Sequence, residues 1–169
     1  MKIPHRLSFV IAFVVTLLSA ACSTSSIYVV RHAERLNDSD TTSLSAAGLQ
    51  RARALAGLLA NTQIDSIYIT PYLRTEQTAA PLATQLGLSL TRYPASPVTA
   101  ITGRLRQLRG KNALVVGHSN TILEIARGLG TTPSIQKIEH TDYQNLLFIR
   151  MRRTPFGQRA HLYEQKITP

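Results

Sequence analysis

The stretch Ile27-Tyr28-Val29-Val30-Arg31-His32 is an apolar, largely β-branched run that stops abruptly at two basic residues. A continuous apolar run of this length reads as a strand buried on both faces. Two later segments repeat the pattern: Ser66 to Thr70, closed by Pro71, and Ala113 to Val116, entering Gly117-His118. Helical stretches fall between them. Ser45 can cap a helix carrying Leu44, Leu55 and Leu59, and residues 72–86 read as a helix stopped by Gly87, with Pro81 expected to kink it or displace its start. Leu88 to Leu90 reads as a short strand, and 98–108 and 120–129 read as helices ended by Gly110 and Gly130. Leu146 to Met151 and Ala160 to Lys166 flank Pro155-Phe156-Gly157, the pattern of a β-hairpin. Strands alternating with helices predict an α/β fold: a single-domain, mixed, mostly parallel sheet sandwiched by helices, with a C-terminal β-hairpin at its margin.

The chain has 169 residues, enough for one core and short for two. Lys2 and Arg6 precede an uncharged apolar run from Leu7 to Leu18, whose twelve residues suit a signal peptide and fall short of the roughly 20 that span a bilayer. Leu18-Ser19-Ala20-Ala21-Cys22 resembles a bacterial lipobox, with Ser19 where an aliphatic residue is usual; ordinary signal cleavage and an uncleaved anchor are the other readings. The expected organisation is a signal peptide at 1–21, a short tether at 22–26 and one domain at 27–169. Lipidated Cys22 would then tie that domain to the periplasmic side of a cell envelope. Ser23, lacking the Asp that favours inner-membrane retention, points to the outer membrane.

Nineteen Lys and Arg stand against nine Asp and Glu; without Lys2 and Arg6 the balance is 17 against 9, or +8. Such a field favours anionic partners. No helix-turn-helix, zinc-finger or RNA-platform signature accompanies it, so nucleic acid is not expected. The histidines lack compact metal-ligand spacing, and neither metal nor cofactor is expected.

In a parallel sheet, ligands bind beyond the carboxyl ends of the strands. Three strand ends here deliver basic side chains: Arg31-His32, Thr70-Pro71-Tyr72-Leu73-Arg74, and Gly117-His118. Two guanidinium forks and two imidazoles at one rim suit a tetrahedral dianion, and a neutral imidazole can attack phosphorus directly. The backbone amides of a helix starting near Asn120 would add to the pocket beside His118.

Four blocks carry a resemblance to the histidine phosphatase superfamily, also called phosphoglycerate-mutase-like. Arg31-His32-Ala33-Glu34 resembles its opening Arg-His-Gly/Ala signature, and Leu44 to Ala52 is similar to its Leu-Thr-x-x-Gly-x-x-Gln-Ala helix start, with Arg51 separating Gln50 from Ala52. Thr70 to Ala79 resembles the Ser-Pro-x-x-Arg-x-x-Gln-Thr-Ala block, and Val115 to Asn120 the block of the second histidine. The resemblance implies His32 as the nucleophile. It also implies Arg31 and Arg74 as clamps on the phosphoryl oxygens and His118 as a donor to them, with Ser119 and Asn120 beside the substrate.

Phosphomonoester members of the superfamily usually carry an acid either between the second arginine block and the second histidine or directly after that histidine. Here no Asp or Glu occurs between Glu76 and Glu124, and Ser119 follows His118. Three accounts are open: Glu34 serves as the acid, the natural leaving group is a good one, or the protein chiefly binds phosphate. The leading expectation is an exported phosphatase acting on a phosphorylated small molecule or a phosphoprotein. The alternative is a catalytically weak phosphate-binding envelope lipoprotein. The short, uncapped form also resembles bacterial phosphohistidine phosphatases, while its openness and export argue against a mutase.

Overall fold

The computed structural model describes residues 22–168. The expected signal peptide at 1–21 lies outside the described residues. The elements run β1 (Ser23–Arg31), α1 (Ala46–Leu59), β2 (Ile64–Ile69), α2 (Leu73–Leu86), β3 (Leu90–Arg92), α3 (Thr99–Arg106), β4 (Asn112–Gly117), α4 (Ile122–Gly128), β5 (Asn145–Thr154) and β6 (Gly157–Lys166). They build one six-stranded sheet in the order β3-β2-β4-β1-β5-β6. The first four strands are mutually parallel, and the hairpin β5-β6 adds an antiparallel margin against β1.

Strand alternation divides the core in two. Ile27, Val29, Ala113 and Val115 pack under α3 and α4 with Ile101, Leu105, Ile122 and Ile125. Val30, Ile67, Ile69, Leu114 and Val116 point the other way, onto Leu55 and Leu59 of α1 and Leu82 of α2. Both faces of the central strands are therefore covered, which explains their unbroken apolar sequence.

Two expectations are corrected. Ser23 to Ser26 are the first half of β1, paired with Arg150 to Arg153 of β5, and do not form a tether. Their polar side chains hid a strand whose partner lies more than a hundred residues away. Pro81 does not displace the start of α2: the helix runs from Leu73 through it to Gly87, whose left-handed backbone (φ 65°) ends the helix by donating to Ala83 and Thr84.

Helix α1 crosses the loop after β1 at very close range. Ser45 caps it by accepting from the Gly48 amide, and the Ser45 amide donates to the Glu34 carbonyl. A Cβ on Gly48 would lie 2.2 Å from that carbonyl oxygen, whereas one on Gly57 in the same helix would meet nothing within 4 Å. Gly48→Ala should therefore lower stability by about 1–3 kcal/mol through overpacking, and Gly57→Ala should raise it by about 0.4–1 kcal/mol. Urea midpoints of the two variants check this, and equal shifts would contradict the close approach.

Candidate active site

The carboxyl ends of β1 and β4 are neighbours in register, Arg31 opposite Gly117, and the His32 amide extends the ladder by donating to the Gly117 carbonyl at 2.9 Å. This sets the His32 and His118 rings edge to face, with centroids 5.4 Å apart. Arg74 arrives from the first turn of α2, after β2. A cavity of about 440 Å³ opens here, lined by Arg31, His32, Arg74, His118, Ser119 and Asn120 among others. The structure thus gathers all six residues that the strand ends and the resemblance singled out.

His32 is only 4% exposed. Its Nδ1 lies 2.8 Å from the Ala33 carbonyl, which can only accept, so Nδ1 carries the proton and Nε2 keeps its lone pair. Burial, helped by the charges of His118, Arg31 and Arg74, pulls the His32 pKa down to about 3 against the raising effect of the Ala33 bond. Burial and the same two arginines bring His118 down to about 4. Both rings are neutral at physiological pH. The Thr70 hydroxyl sits 2.9 Å from His118 Nε2, and Tyr72 packs edge-on against the ring with centroids 5.1 Å apart.

The two arginines are held alike. Arg31, 5% exposed, donates from Nη1 to the carbonyls of Glu139 and Asp142 and lies 4.0 Å over the Tyr143 ring. Arg74, 6% exposed, donates from Nη1 to the Asp40 carbonyl and lies 4.3 Å over Tyr72. In each, Nε is buried without a hydrogen-bond partner. Burial lowers both guanidinium pKa values, a penalty that a bound anion would relieve.

Other motif residues fasten these pieces together. Thr78 accepts from the Ala33 amide and donates to the Arg74 carbonyl, which joins the end of β1 to α2. Gln77 accepts from the Leu44 amide, which fixes the loop ahead of α1.

Glu34 does not fit the role of acid. Arg51 grips its carboxylate from Nε and Nη2 at 2.6–3.0 Å and donates from Nη1 to the Ile167 carbonyl. Partial burial pushes the Glu34 carboxyl up, but the Arg51 bonds and charge outweigh it and hold the group below the usual carboxylate range. Nor does Glu34 line the cavity. The helix-amide expectation is corrected too: α4 starts at Ile122, and the Thr121 and Ile122 amides donate to the His118 carbonyl.

Sequence reasoning missed Glu124 and the tyrosines Tyr72 and Tyr143. Glu124, in the first turn of α4, is the only carboxylate among the described residues that lines the cavity; six residues after His118, it follows a short turn back toward the site. His140, exposed in the turn before β5, also lines the cavity. The tyrosine platforms Tyr72 and Tyr143 carried no signal beyond Tyr72's place two residues before Arg74. Among the described residues, no group of three or more His, Cys, Asp and Glu is arranged to hold a metal ion.

Residues 27–95 match the family model described as Histidine phosphatase superfamily (branch 1). That segment holds His32 and both arginines. The fold is shared with a structure of the protein histidine phosphatase SixA bound to tungstate, at 20% identity and TM-score 0.66, covering 83% of this chain and 96% of that one. It is also shared with alpha-ribazole phosphatase from Shigella flexneri (16%, TM-score 0.61, covering 83% and 96%) and phosphoglycerate mutase from Plasmodium falciparum (18%, TM-score 0.60, covering 87% and 95%). No curated protein sequence matches the chain. The segment match and the phosphoglycerate-mutase-like fold together support the superfamily.

The depressed histidines link the site to stability. Both bind protons more readily in the unfolded chain, whose imidazoles titrate near about 6.5, so stability is fully present above that pH and declines as pH falls toward 4. Between about pH 6.5 and 5, above the ordinary carboxylate range, urea midpoints should drop in the wild type. They should drop less in His32→Asn and in His118→Asn. A flat wild-type profile across that window would contradict the buried neutral state.

Proposed function

We propose that the chain is an exported phosphatase that cleaves phosphoric monoesters through a phosphohistidine on His32. One observation carries the reading: two buried arginines, each with an unpartnered Nε, stand beside a histidine whose free nitrogen is Nε2. In this reading the guanidiniums hold the phosphoryl oxygens and His118 donates to them as charge builds up. His32 Nε2 attacks phosphorus and the bond to the ester oxygen breaks. Glu124 supplies the proton that the departing alkoxide needs. Water then attacks phosphorus, the N–P bond breaks, Glu124 takes the water proton and inorganic phosphate leaves. Arg31, Arg74, Ser119 and Asn120 serve as the substrate-binding set, with the exposed His140 at the rim.

The likeness to SixA, described as a protein histidine phosphatase, supports a site that admits a protein-borne phosphate, whereas the alpha-ribazole phosphatase points to small esters. A carboxylate at the cavity favours esters, because a phosphohistidine leaving group needs acid assistance less than an alkoxide. Export rests on the sequence at 1–21. The reading is completed by a lipid on Cys22, exposed at the start of β1, and by a periplasmic location, with the outer membrane as the expected anchor site.

A leaving-group series tests the chemistry. His32→Ala should abolish turnover of aryl and alkyl phosphates. Glu124→Gln should slow alkyl esters by about 10²- to 10⁴-fold and aryl esters far less. Glu34→Gln should affect both classes alike. Undiminished turnover by His32→Ala would remove the nucleophile assignment, and burst labelling of His32 without turnover would mark a phosphate-binding protein. Mass spectrometry of the membrane fraction should find a diacylglycerol increment on a peptide starting at Cys22; an unmodified soluble form would exclude the anchor.

A further inference from the structure

The end of the sheet opposite the His32 cavity carries a surface that the proposed chemistry does not use. Among the described residues, no helix covers one face of the sheet where β1, β5 and β6 begin or finish. Ser26 pairs with Arg150 and Thr24 with Arg152 across β1-β5, while Arg150 pairs with His161 and Arg152 with Arg159 across β5-β6. All of these side chains share one face, because successive partners two residues apart point the same way. Next along that face lies a ladder of stacked rings, Tyr28, Phe148 and Tyr163, with centroids 4.9 and 5.3 Å apart. The Arg150 guanidinium lies 5.7 and 5.8 Å over the last two rings. At the hairpin tip Phe156 is 95% exposed, and Arg152 and Arg159 flank it around a shared hollow.

This arrangement works against the fold. Arg152 and Arg159 are direct cross-strand partners of like charge, a pairing that destabilises a sheet. Nor does the rest of the domain balance the charge. The loop 34–43, the first turns of α2 and α4, and residues 139–142 hold seven of the nine carboxylates, all toward the His32 end. At the hairpin end Asp65 is already engaged by Lys111 and the Asn112 amide. Cys22, Ser23 and Thr24 share a hollow with Arg150 and Arg152, so the 21 preceding residues, with their apolar run Leu7 to Leu18, join the domain at this face.

We propose that this face, with Phe156 as its wedge and Arg150, Arg152 and Arg159 as its cations, docks on an anionic bilayer surface. An exposed aromatic ringed by arginines suits the headgroup boundary, where the ring leaves water and the cations meet lipid phosphates. Among the described residues no helix is long and apolar enough to cross a membrane, so the contact made by this part is peripheral. The proposal does not depend on the chemistry assigned to His32.

The chain contains no tryptophan, so Phe156→Trp and, at the opposite end, the exposed Leu36→Trp each give a single reporter. The full chain carrying either reporter is reconstituted into brominated phosphatidylcholine vesicles with or without phosphatidylglycerol. Tryptophan at 156 should be quenched in the anionic vesicles, far less in the neutral ones and little at high salt, while tryptophan at 36 stays bright throughout. Arg152→Glu should abolish the anionic quenching while raising the urea midpoint, because it turns the like-charged pair into an opposite one. Equal quenching in both vesicle types, or quenching at 36, would overturn the proposal. Burial of residue 156 by self-association or by a single-stranded oligonucleotide, without bromolipid quenching, would overturn it as well.

Discussion

Arg31 and Arg74 are buried, and among the described residues no carboxylate forms a salt bridge with either; the carboxyl end of the sheet is arranged around that constraint. A desolvated cation must find oxygens somewhere. Here they are main-chain carbonyls, supplied by Asp40 from the loop after β1 and by Glu139 and Asp142 from the loop before β5. Two segments far apart in sequence are thereby pinned over the ends of the central strands, and a tyrosine ring closes one face of each guanidinium. Carbonyl dipoles soften the burial without cancelling the charge. A carboxylate in their place would have formed an ion pair and left less attraction for an incoming anion.

The same electrostatics fixes the state of the histidines. Burial, aided by the two cations, keeps His32 and His118 unprotonated, and the Ala33 carbonyl selects the His32 tautomer. The supporting contacts are no less specific. Thr78 and Gln77 sit in the motif that delivers Arg74, yet their bonds run to Ala33 and Leu44, so one helix turn aligns the end of β1 with the approach of α1. Gly48 permits that approach by having no side chain.

Much of this was legible in the chain itself. Apolar runs ending in basic residues gave the parallel strands and the rim that joins Arg31, His32, Arg74 and His118. Sequence patterns fail where a contact is long-range and polar. Glu34 stayed open as an acid because nothing local announces Arg51, seventeen residues on in α1. Ser23 to Ser26 read as a tether because their short polar side chains fall outside the apolar run, and only pairing with β5 makes them a strand. Glu124 was passed over because it follows the second histidine by six residues, a distance that means proximity only once the turn of Ser119 to Thr121 is known. Pro81 misled in the opposite direction as regards the start of α2, which stays eight residues ahead of it.

Strand β1 joins the two ends of the molecule directly. Its nine residues, at about 3.3 Å each, carry the chain some 30 Å from Cys22 to His32 with no hinge along the way. On the proposed docking, a rigid strut of that length planted at its foot would hold the cavity out in the aqueous space beyond the headgroups. Phosphates borne on diffusing molecules or on neighbouring macromolecules would come within reach, while those of the lipids underfoot would stay beyond it.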